Sequence, residues 1–398
     1  MSVTVLNTTA SLSGKTLMKL EDSQTVTGAK TFDRGASAPF ICISGSAKVD
    51  YLDADKLDGQ TGADYHDAQL LTGVLPASVV AADPNADRIV FWDDSAGAFA
   101  YLIPGTALSI STTTLNVSLA RSICQGRLTL TSGTPVTSAD VTAAGTLYWA
   151  LYGGNQVALY DGTLWQLYAV SELSIAVPAA ADQVYDVFVD YNSGTPALAL
   201  TAWTNDTTRA TALTKQDGVL VLTGTLGKRY VGTVRTKTAS QLNDSFAFRH
   251  VWNYYNRVPR PMRVLEATNT WPYTVATFQQ ANAAATNQLD CVVGVAEIPI
   301  SVQVIGLASS DQAAGGVGIA VAIGEDATTP ATGCIRDSPV NPGANIRYTC
   351  RADLYTFPAV GRHYYTWLEL STAVGVTTWS GDNGGTVLQT GIHGVIPG

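Results

Sequence analysis

Apolar and polar positions alternate along much of the chain with the period of β-strands. Residues 146–170 read TLYWALYGGNQVALYDGTLWQLYAV, three aromatic and β-branched runs separated by the turn signals GGN and DG. Combinations of Gly, Asn and Asp between such runs are typical of β-hairpins. The pattern therefore predicts an antiparallel meander.

A second segment, VYDVFVDY at 184–191, has one apolar face and one mixed face, because side chains of a strand alternate between faces. This is the pattern of a sandwich or barrel wall. Few windows show the period of 3.6 residues that a helix requires, and Gly or Pro interrupts most of those long enough to test. We therefore predict an all-β fold with two domains of β-sandwich or β-barrel type.

Composition divides the chain into four segments. Residues 1–120 are low in aromatic residues and rich in Thr, Ser, Gly and Asp, so their short strand-like pieces could scarcely close a core alone. They fit an intertwined N-terminal stalk. Residues 121–250 contain the meander and form a predicted β-domain. Residues 251–263 are a predicted linker, because two prolines would stop both helix and sheet, and residues 264–398 form a predicted second β-domain.

The chain is poor in charge. Lys, Arg, Asp and Glu make up 14% of the 398 residues, and the mean hydropathy is +0.12. A monomer of this composition would be poorly soluble, so we expect part of the apolar surface to be buried in contacts between subunits. The net charge of −9 argues against nucleic acid as a main partner.

No targeting or membrane segment is visible. The N-terminus lacks the features of a secretory signal, and no apolar run reaches the roughly 18 residues of a membrane-spanning helix. We expect synthesis in a cytosol and no membrane insertion. The scattered cysteines are then expected to be reduced thiols, with a disulfide between Cys334 and Cys350 left open as an alternative.

Motifs that could carry chemistry are incomplete. The SGKT sequence lacks the glycine that a phosphate-binding loop needs five residues before Gly14. The DAD sequence at 53–55 begins like a calcium loop, but Leu57 stands at a ligand position and cannot bind calcium. His66 beside Asp67 has no nucleophile with a supporting motif. We therefore predict no catalytic residues, no metal and no cofactor.

A basic and aromatic cluster begins at residue 249 and contains no acidic residue. The segment RHVWNYYNRVPRPMR interleaves arginines with aromatic rings, which is typical of contacts with nucleic acid or sugar and also of protein interfaces. Because the protein is acidic, we predict inter-subunit anchors. The interface candidates are Arg249, Trp252, Tyr254, Tyr255, Arg257, Arg260 and Arg263.

Aromatic residues occur with the polar loop SGDNGG near the C-terminus. Sugar binding requires an exposed ring for the C–H surface and nearby acceptors for the hydroxyls. Strand alternation also makes at least one of these rings a core candidate. The receptor-binding candidates are Tyr364, Tyr365, Trp367, Trp379, Asp382 and Asn383.

Two parts of the chain resemble fibre proteins of tailed bacteriophages. The segment YLDADKLDGQTGADYHDAQLLTGVLP at 51–76 is similar to an element of tail-fibre stalks, with Tyr65-His66 in place of the usual aromatic pair. SQTVTGAKTF before it and DRIVFWDDSAGAFAYLIPGTALSISTTTLNVS after it are similar to fibre segments as well, so the resemblance covers most of 20–120. In the middle region, LYDGTLWQLY and FRHVWNYYNRVPRPM look like a β-module attached to such stalks. Residues 264–398 carry no such motif.

The resemblance implies an elongated homotrimeric fibre. Asp, Gly and small residues would form the tight turns of three intertwined chains. Its N-terminus would attach to other virion proteins of the tail, neck or capsid, and its C-terminal domain would contact a bacterial surface glycan or protein. The protein would be located on the virion. The threefold apolar contacts would come from Leu52, Leu57, Leu70, Leu71 and Leu75.

Three functions stay open from the sequence. A tail or neck fibre that mediates host adsorption fits the order of stalk, module and second β-domain. A capsid head fibre or decoration protein would have the same architecture on a different anchor. A polysaccharide-degrading tailspike would need a cleft with paired carboxylates, whereas Glu is scarce and no β-helix repeat is visible. We therefore expect adsorption without enzymatic activity.

Overall fold

The computed structural model describes residues 10–12, 15–17, 88–102, 108–111, 114–117, 121–385 and 387–398. The chain divides into two units, Met1–Asp83 and Pro84–Gly398. In the first unit, β1 (Ala10–Leu12) and β2 (Lys15–Leu17) form an antiparallel hairpin.

The second unit is built from strands. Among the described residues, short 3-10 turns at 121–122, Asn192–Gly194 and Ala281–Ala283 interrupt them. No helix in the described part of the chain reaches seven residues, and none there could span a membrane. The prediction of an all-β fold is confirmed. The strands are β3 (Ile89–Asp93), β4 (Ala98–Leu102), β5 (Leu108–Ser111), β6 (Thr114–Val117), β7 (Gly126–Thr129), β8 (Val141–Ala144), β9 (Thr146–Leu151), β10 (Gln156–Tyr160), β11 (Trp165–Ala169), β12 (Leu173–Ala176), β13 (Val184–Asp190), β14 (Ala197–Ala202), β15 (Leu213–Gln216), β16 (Val219–Leu222), β17 (Thr225–Thr238), β18 (Gln241–Asp244), β19 (Phe248–Arg249), β20 (Val251–Asn253), β21 (Pro259–Leu265), β22 (Thr270–Pro272), β23 (Gln279–Gln280), β24 (Gln288–Val293), β25 (Ile300–Ser310), β26 (Ile319–Glu325), β27 (Ile335–Arg336), β28 (Tyr348–Thr356), β29 (Gly361–Ser371), β30 (Thr377–Ser380) and β31 (Gly391–Pro397).

Two separate hairpins begin the second unit. β3 pairs with β4, β5 pairs with β6, and each pair forms a sheet of its own. β3 exposes apolar side chains on both faces, since Ile89, Val90 and Phe91 are 40%, 43% and 39% exposed. A two-stranded hairpin alone is marginally stable. This hairpin would therefore gain stability from contact with further polypeptide.

Of the two hairpins predicted in 146–170, one forms. β10 and β11 pair antiparallel around Asp161 and Gly162, and Gly162 adopts a φ of 105°, which favours glycine. β9 instead pairs with β7 and β12 in a separate three-stranded sheet. The physical reason is that the carbonyl of Gln125 accepts the N–H groups of Tyr152 and Gly153, which ties the end of β9 to Gln125.

β13 is the shared wall of two hydrophobic cores. Tyr185, Val187 and Val189 on one face pack into a smaller core formed by residues from 124 to 251. Val184 and Phe188 on the other face pack into a larger core that extends to residue 396. The alternation predicted for this segment is confirmed.

The largest sheet contains strands from both predicted β-domains. Its order is β14-β13-β17-β18-β19-β24-β29-β23, with β8, β15, β16, β20 and β26 attached. β19 and β24 pair in parallel. The larger core likewise holds Phe188 and Trp252 together with Leu289. Backbone pairing and packing therefore cross the boundary predicted between 121–250 and 264–398.

The segment 251–263 is not irregular, which corrects the expectation that its prolines would stop a sheet. It contains β20 and most of β21, and β21 is an edge strand paired with β31. The N–H of Arg263 points away from β31 and donates to the carbonyl of Phe246. Because N–H directions alternate along a strand, the nitrogens of Pro259 and Pro261 point the same way as that of Arg263. Neither proline removes a bond from the ladder with β31.

A second large sheet forms the C-terminal part of the unit. Its order is β21-β31-β25-β28-β27, with β22 and β30 attached. Along β28 buried and exposed residues alternate from Tyr348 to Tyr355. One face of this sheet packs into the larger core, and the other face is open to solvent. The core-facing residues include Met262, Val302, Val304, Ala352, Leu354 and Ile392.

Candidate functional site

Three of the predicted receptor-binding rings lie in the larger core. Tyr365, Trp367 and Trp379 are each 0% exposed. Trp271 packs edge to face on Trp367, with 6.2 Å between ring centroids, and Nε1 of Trp379 donates to the carbonyl of Tyr273 at 3.1 Å. Direct contact of these three rings with a receptor is therefore excluded in the folded chain, because their strand positions face the core.

Tyr364 lies on the opposite face of β29 and is half-buried. The guanidinium of Arg362 is 5.1 Å from the centroid of its ring. Nε of Arg362 also donates to both carboxylate oxygens of Asp290 at 3.1 Å. One face of the Tyr364 ring is thus already occupied by a cation that is fixed in place by an ion pair.

His250 and Asp290 form a buried pair behind Arg362. Nε2 of His250 is 2.9 Å from Oδ1 of Asp290, and the two side chains are 0% and 1% exposed. Burial lowers the pKa of His250, so the ring is neutral and its Nε2–H donates to the carboxylate. Burial opposes ionisation of Asp290, but hydrogen bonds from His250 and Arg362 hold its pKa below the ordinary value. A pair closed to solvent in this way cannot exchange a proton with an external substrate.

Asp382 and Asn383 lie in a tight loop after β30, and both are partly exposed. The N–H of Gly384 donates to Oδ1 of Asn269 at 2.9 Å and to Oδ1 of Asp382 at 3.0 Å. Nη2 of Arg347 donates to Oδ1 of Asn383 at 2.7 Å. The loop therefore presents polar groups from a well-bonded backbone.

The structure does not bring the predicted receptor-binding residues together. Tyr364 pairs with Asp290 between β29 and β24, in the larger sheet, whereas Asp382 follows β30 of the C-terminal sheet. Trp379, directly before this loop, faces the core and contributes no exposed ring. The loop thus supplies hydrogen-bonding groups without the aromatic platform that the sequence suggested.

Two arginines of the basic cluster after residue 248 share a carboxylate within the chain. Asp244 accepts bonds from Nη1 of Arg249 at 3.0 Å and from Nη2 of Arg260 at 2.7 Å, and all three side chains are buried. Arg260 also donates to the carbonyl of Thr137. Arg249 and Arg260 are therefore intrachain anchors and not inter-subunit ones. Their carboxylate partner precedes the cluster by five residues, outside the segment on which the prediction was based.

The aromatic members of the same cluster pack against one another. Trp252 is 3% exposed, and the guanidinium of Arg257 lies 4.8 Å from its ring centroid and 5.2 Å from that of Tyr254. Tyr255 packs edge to face on Tyr254 at 4.8 Å. Burial makes Trp252 a core residue, which corrects its prediction as an interface anchor. Tyr254, Tyr255 and Arg257 are partly exposed, and an interface role for them stays a prediction.

Arg263 belongs to the open face of the C-terminal sheet. The registers place Arg263 opposite His393, His393 opposite Gln303, Gln303 opposite Asp353, and Asp353 opposite Ile335. Residues paired in this way point to the same face, and all five are exposed. We call these five residues the cross-strand row. The alternation in ISVQVIGLASS and YTCRADLYT indicates outward positions, but only the register aligns them.

The leucines at 52, 57, 70, 71 and 75 lie outside the described residues, as do the aspartates and His66 of the same segment. Cys334 and Cys350 are free thiols. Within the described ranges, no group of three or more His, Cys, Asp or Glu residues is arranged to hold a metal ion.

Comparisons with known proteins give little information. No family model and no curated protein matches the sequence. The insecticidal delta-endotoxin Cry8Ea1 from Bacillus thuringiensis is similar over 69% of this chain and 52% of its own, with 8% identity and a TM-score of 0.21. A Bacillus thuringiensis Cry1Da tryptic core variant is similar over 64% and 48%, with 8% identity and a TM-score of 0.17. The chain spans about half the length of these structures, and scores of this size do not indicate a shared fold.

Proposed function

We propose that the chain is a subunit of a trimeric fibre on the virion of a tailed bacteriophage. Its N-terminal part would attach to tail or neck proteins, and its C-terminal part would contact the surface of the host bacterium. The observation that carries the proposal is the ordered set of stalk-like sequence segments in 20–120, followed along the chain by the β-strands of 121–398.

The hairpin of β3 and β4 supports assembly into a multi-chain stalk. Ile89, Val90 and Phe91 expose apolar surface on both faces of a strand that has one hydrogen-bonded neighbour. Strands with two apolar faces are typical of sheets covered on both sides. Neighbouring copies of the chain would supply that cover, which also accounts for the low charge of the sequence.

The chemistry of the described clusters favours binding over catalysis. The His250–Asp290 pair is closed to solvent, and the Asp244 carboxylate is held by Arg249 and Arg260. Exposed polar groups occur instead on the 380–385 loop and on the open sheet face, where a host molecule could be bound without being altered.

A capsid head fibre or decoration protein is the alternative, since it would share this architecture and differ in its anchor. Immunogold labelling of virions with antibodies against the purified chain separates the two. Label at the tail or neck supports the proposal, label over the capsid supports the alternative, and unlabelled virions of the encoding phage would contradict both. Light scattering of the purified protein should give the mass of a trimer, and a stable monomer at micromolar concentration would refute the fibre architecture.

A further inference from the structure

The cross-strand row forms a straight line of hydrogen-bonding groups across the open sheet face. Its polar members are Arg263, His393, Gln303 and Asp353, one on each of four adjacent strands. Adjacent strands are about 4.8 Å apart, so the line from Arg263 to Asp353 is roughly 14 Å long. This length suits a polymer of several units lying across the strands.

The polar side chains of the row are available to a ligand. Among the described residues, the side chains of His393, Gln303 and Asp353 have no hydrogen-bond or ion-pair partner. Arg263 contacts the ring of Phe246, 4.2 Å from its centroid, and makes no ion pair with any residue that the structure describes. The row offers donors at the Arg263 end, an amide in the middle and an acceptor at the Asp353 end.

Apolar surface borders the row on both sides. On one side lie Val395, 41% exposed, and Tyr355, 71% exposed, and on the other lie Leu265, 51% exposed, and Ile305, 36% exposed. Val395 and Tyr355 both pair with Ser301: Val395 from the neighbouring strand β31 and Tyr355 from the neighbouring strand β28. The second border ends at the exposed Arg351, which lies opposite Ile305. A polar line between apolar borders complements a chain of sugar rings, whose hydroxyl groups seek hydrogen bonds and whose C–H faces pack on aliphatic and aromatic carbon.

A second copy of this chain is a poorer occupant of the face. The polar groups at the centre of the face are His393 on β31 and Gln303 on β25, neither of which has a hydrogen-bond partner among the described residues. Burial of these two side chains beneath a protein surface would be costly unless the partner supplied a matching hydrogen bond to each. A hydrated polysaccharide avoids that cost, because water stays at the contact.

We propose that the cross-strand row binds an extended surface polysaccharide of the host, with any acidic sugar placed over Arg263 and His393. This inference rests on the proposed function and makes it more specific, since it moves the receptor contact from the 380–385 loop to the open sheet face. Three copies in a trimer would strengthen a weak contact through effective concentration.

The test uses the full-length protein and its variants Gln303→Ala, Asp353→Ala and the double variant. The probes are lipopolysaccharide and capsular polysaccharide extracted from the strain on which the virions grow, immobilised for binding measurements. Asp94→Ala, which removes an exposed carboxylate from the turn between β3 and β4, is the matched control. Asp382→Ala tests the loop in the same assay.

Each single row variant should weaken binding about tenfold, the loss of one hydrogen bond, and the double variant should weaken it further. Asp94→Ala and Asp382→Ala should bind like the wild-type protein, and mass and melting temperature should be unchanged throughout. The proposal would be overturned if the row variants bind the probes like the wild-type protein, if only Asp382→Ala loses binding, or if the wild-type protein binds neither probe. A change of mass in the row variants would instead assign the face to contacts between copies. If the immunogold experiment labels the virions, the fibre function is supported whatever the result of the binding test. If the virions are unlabelled, the fibre function is contradicted.

Discussion

The carboxylate of Glu369 lies against the indole of Trp271 in the larger core. Nε1 of Trp271 is 3.1 Å from one carboxylate oxygen and 2.9 Å from the other, and Glu369 is 0% exposed. Gln279 and the backbone N–H of Asn282 donate to the same carboxylate at 2.9 and 3.1 Å. These donors are all neutral, so they compensate only in part for removing the charge from water.

The first prediction concerns this carboxylate. Burial raises the pKa of Glu369 from 4.5 to about 7. The folded protein therefore binds this proton more tightly than the unfolded chain does. Protonation of Glu369 therefore stabilises the folded state: the contribution is complete below pH 4.5 and is lost as the pH rises through about 7. The free energy of unfolding changes by on the order of 3 kcal/mol over this range. Glu369→Gln, which mimics the protonated group, should unfold at higher denaturant concentration than the wild-type protein at pH 8 and at a similar concentration at pH 4.5.

Urea unfolding at the two pH values measures the effect. Glu172→Gln is the matched control, because Glu172 is only partly buried and accepts hydrogen bonds from Ser132 and Gly133 at the surface. Its variant should keep the pH dependence of the wild-type protein. An identical pH dependence in Glu369→Gln would show that Glu369 does not titrate in this range.

The second prediction concerns the two arginines that share Asp244. Asp244→Asn leaves Arg249 and Arg260 without a carboxylate in a buried site, which should destabilise the fold by about 3–5 kcal/mol. Asp190→Asn is the matched control: its partner Lys228 is 3.8 Å away and both side chains are about a quarter exposed, so its cost should stay below about 1 kcal/mol. Equal unfolding midpoints for the two variants would contradict the assignment.

The third prediction separates a core ring from a surface ring. Trp379→Ala should cost about 3–5 kcal/mol, because it removes a fully buried indole, and should lower cell binding only in proportion to the unfolded fraction. Tyr355→Ala should change stability by less than about 0.5 kcal/mol, since the ring is 71% exposed. Thermal and chemical unfolding of both variants would decide, and a stable Trp379→Ala protein would place that ring outside the core.

The fourth prediction concerns truncation. Removing 264–398 would expose the edge of β19 that pairs with β24 and would open the larger core around Phe188 and Trp252. We expect that neither 121–263 nor 264–398 folds alone, and that limited proteolysis degrades both while sparing the full-length chain. A soluble, protease-resistant 264–398 fragment would show that the pairing across residue 250 is dispensable.

Local sequence determined the strand content of this protein and several of its details. Period-two alternation identified β13, and the Asp161-Gly162 turn identified the hairpin of β10 and β11, because both depend on neighbours within a few residues. The same local rules misplaced the pairing of β9 and the role of Pro259 and Pro261. In these cases a distant carbonyl or the edge position of the strand decided the outcome.

The tertiary structure alone decided which side of each strand meets solvent. Alternation shows that Tyr365 and Trp367 lie on one face of β29 and that Gln303 and Ile305 lie on one face of β25, but it does not show which face of each strand another sheet will cover. The core covers the face with Tyr365 and Trp367, so these aromatic residues are structural. The face with Gln303 and Ile305 is open, so the cross-strand row is accessible. Likewise, Asp244 lies close to Arg260 only after β18 and β21 have been brought together. Long-range pairing fixes these relationships, and no short stretch of sequence contains them.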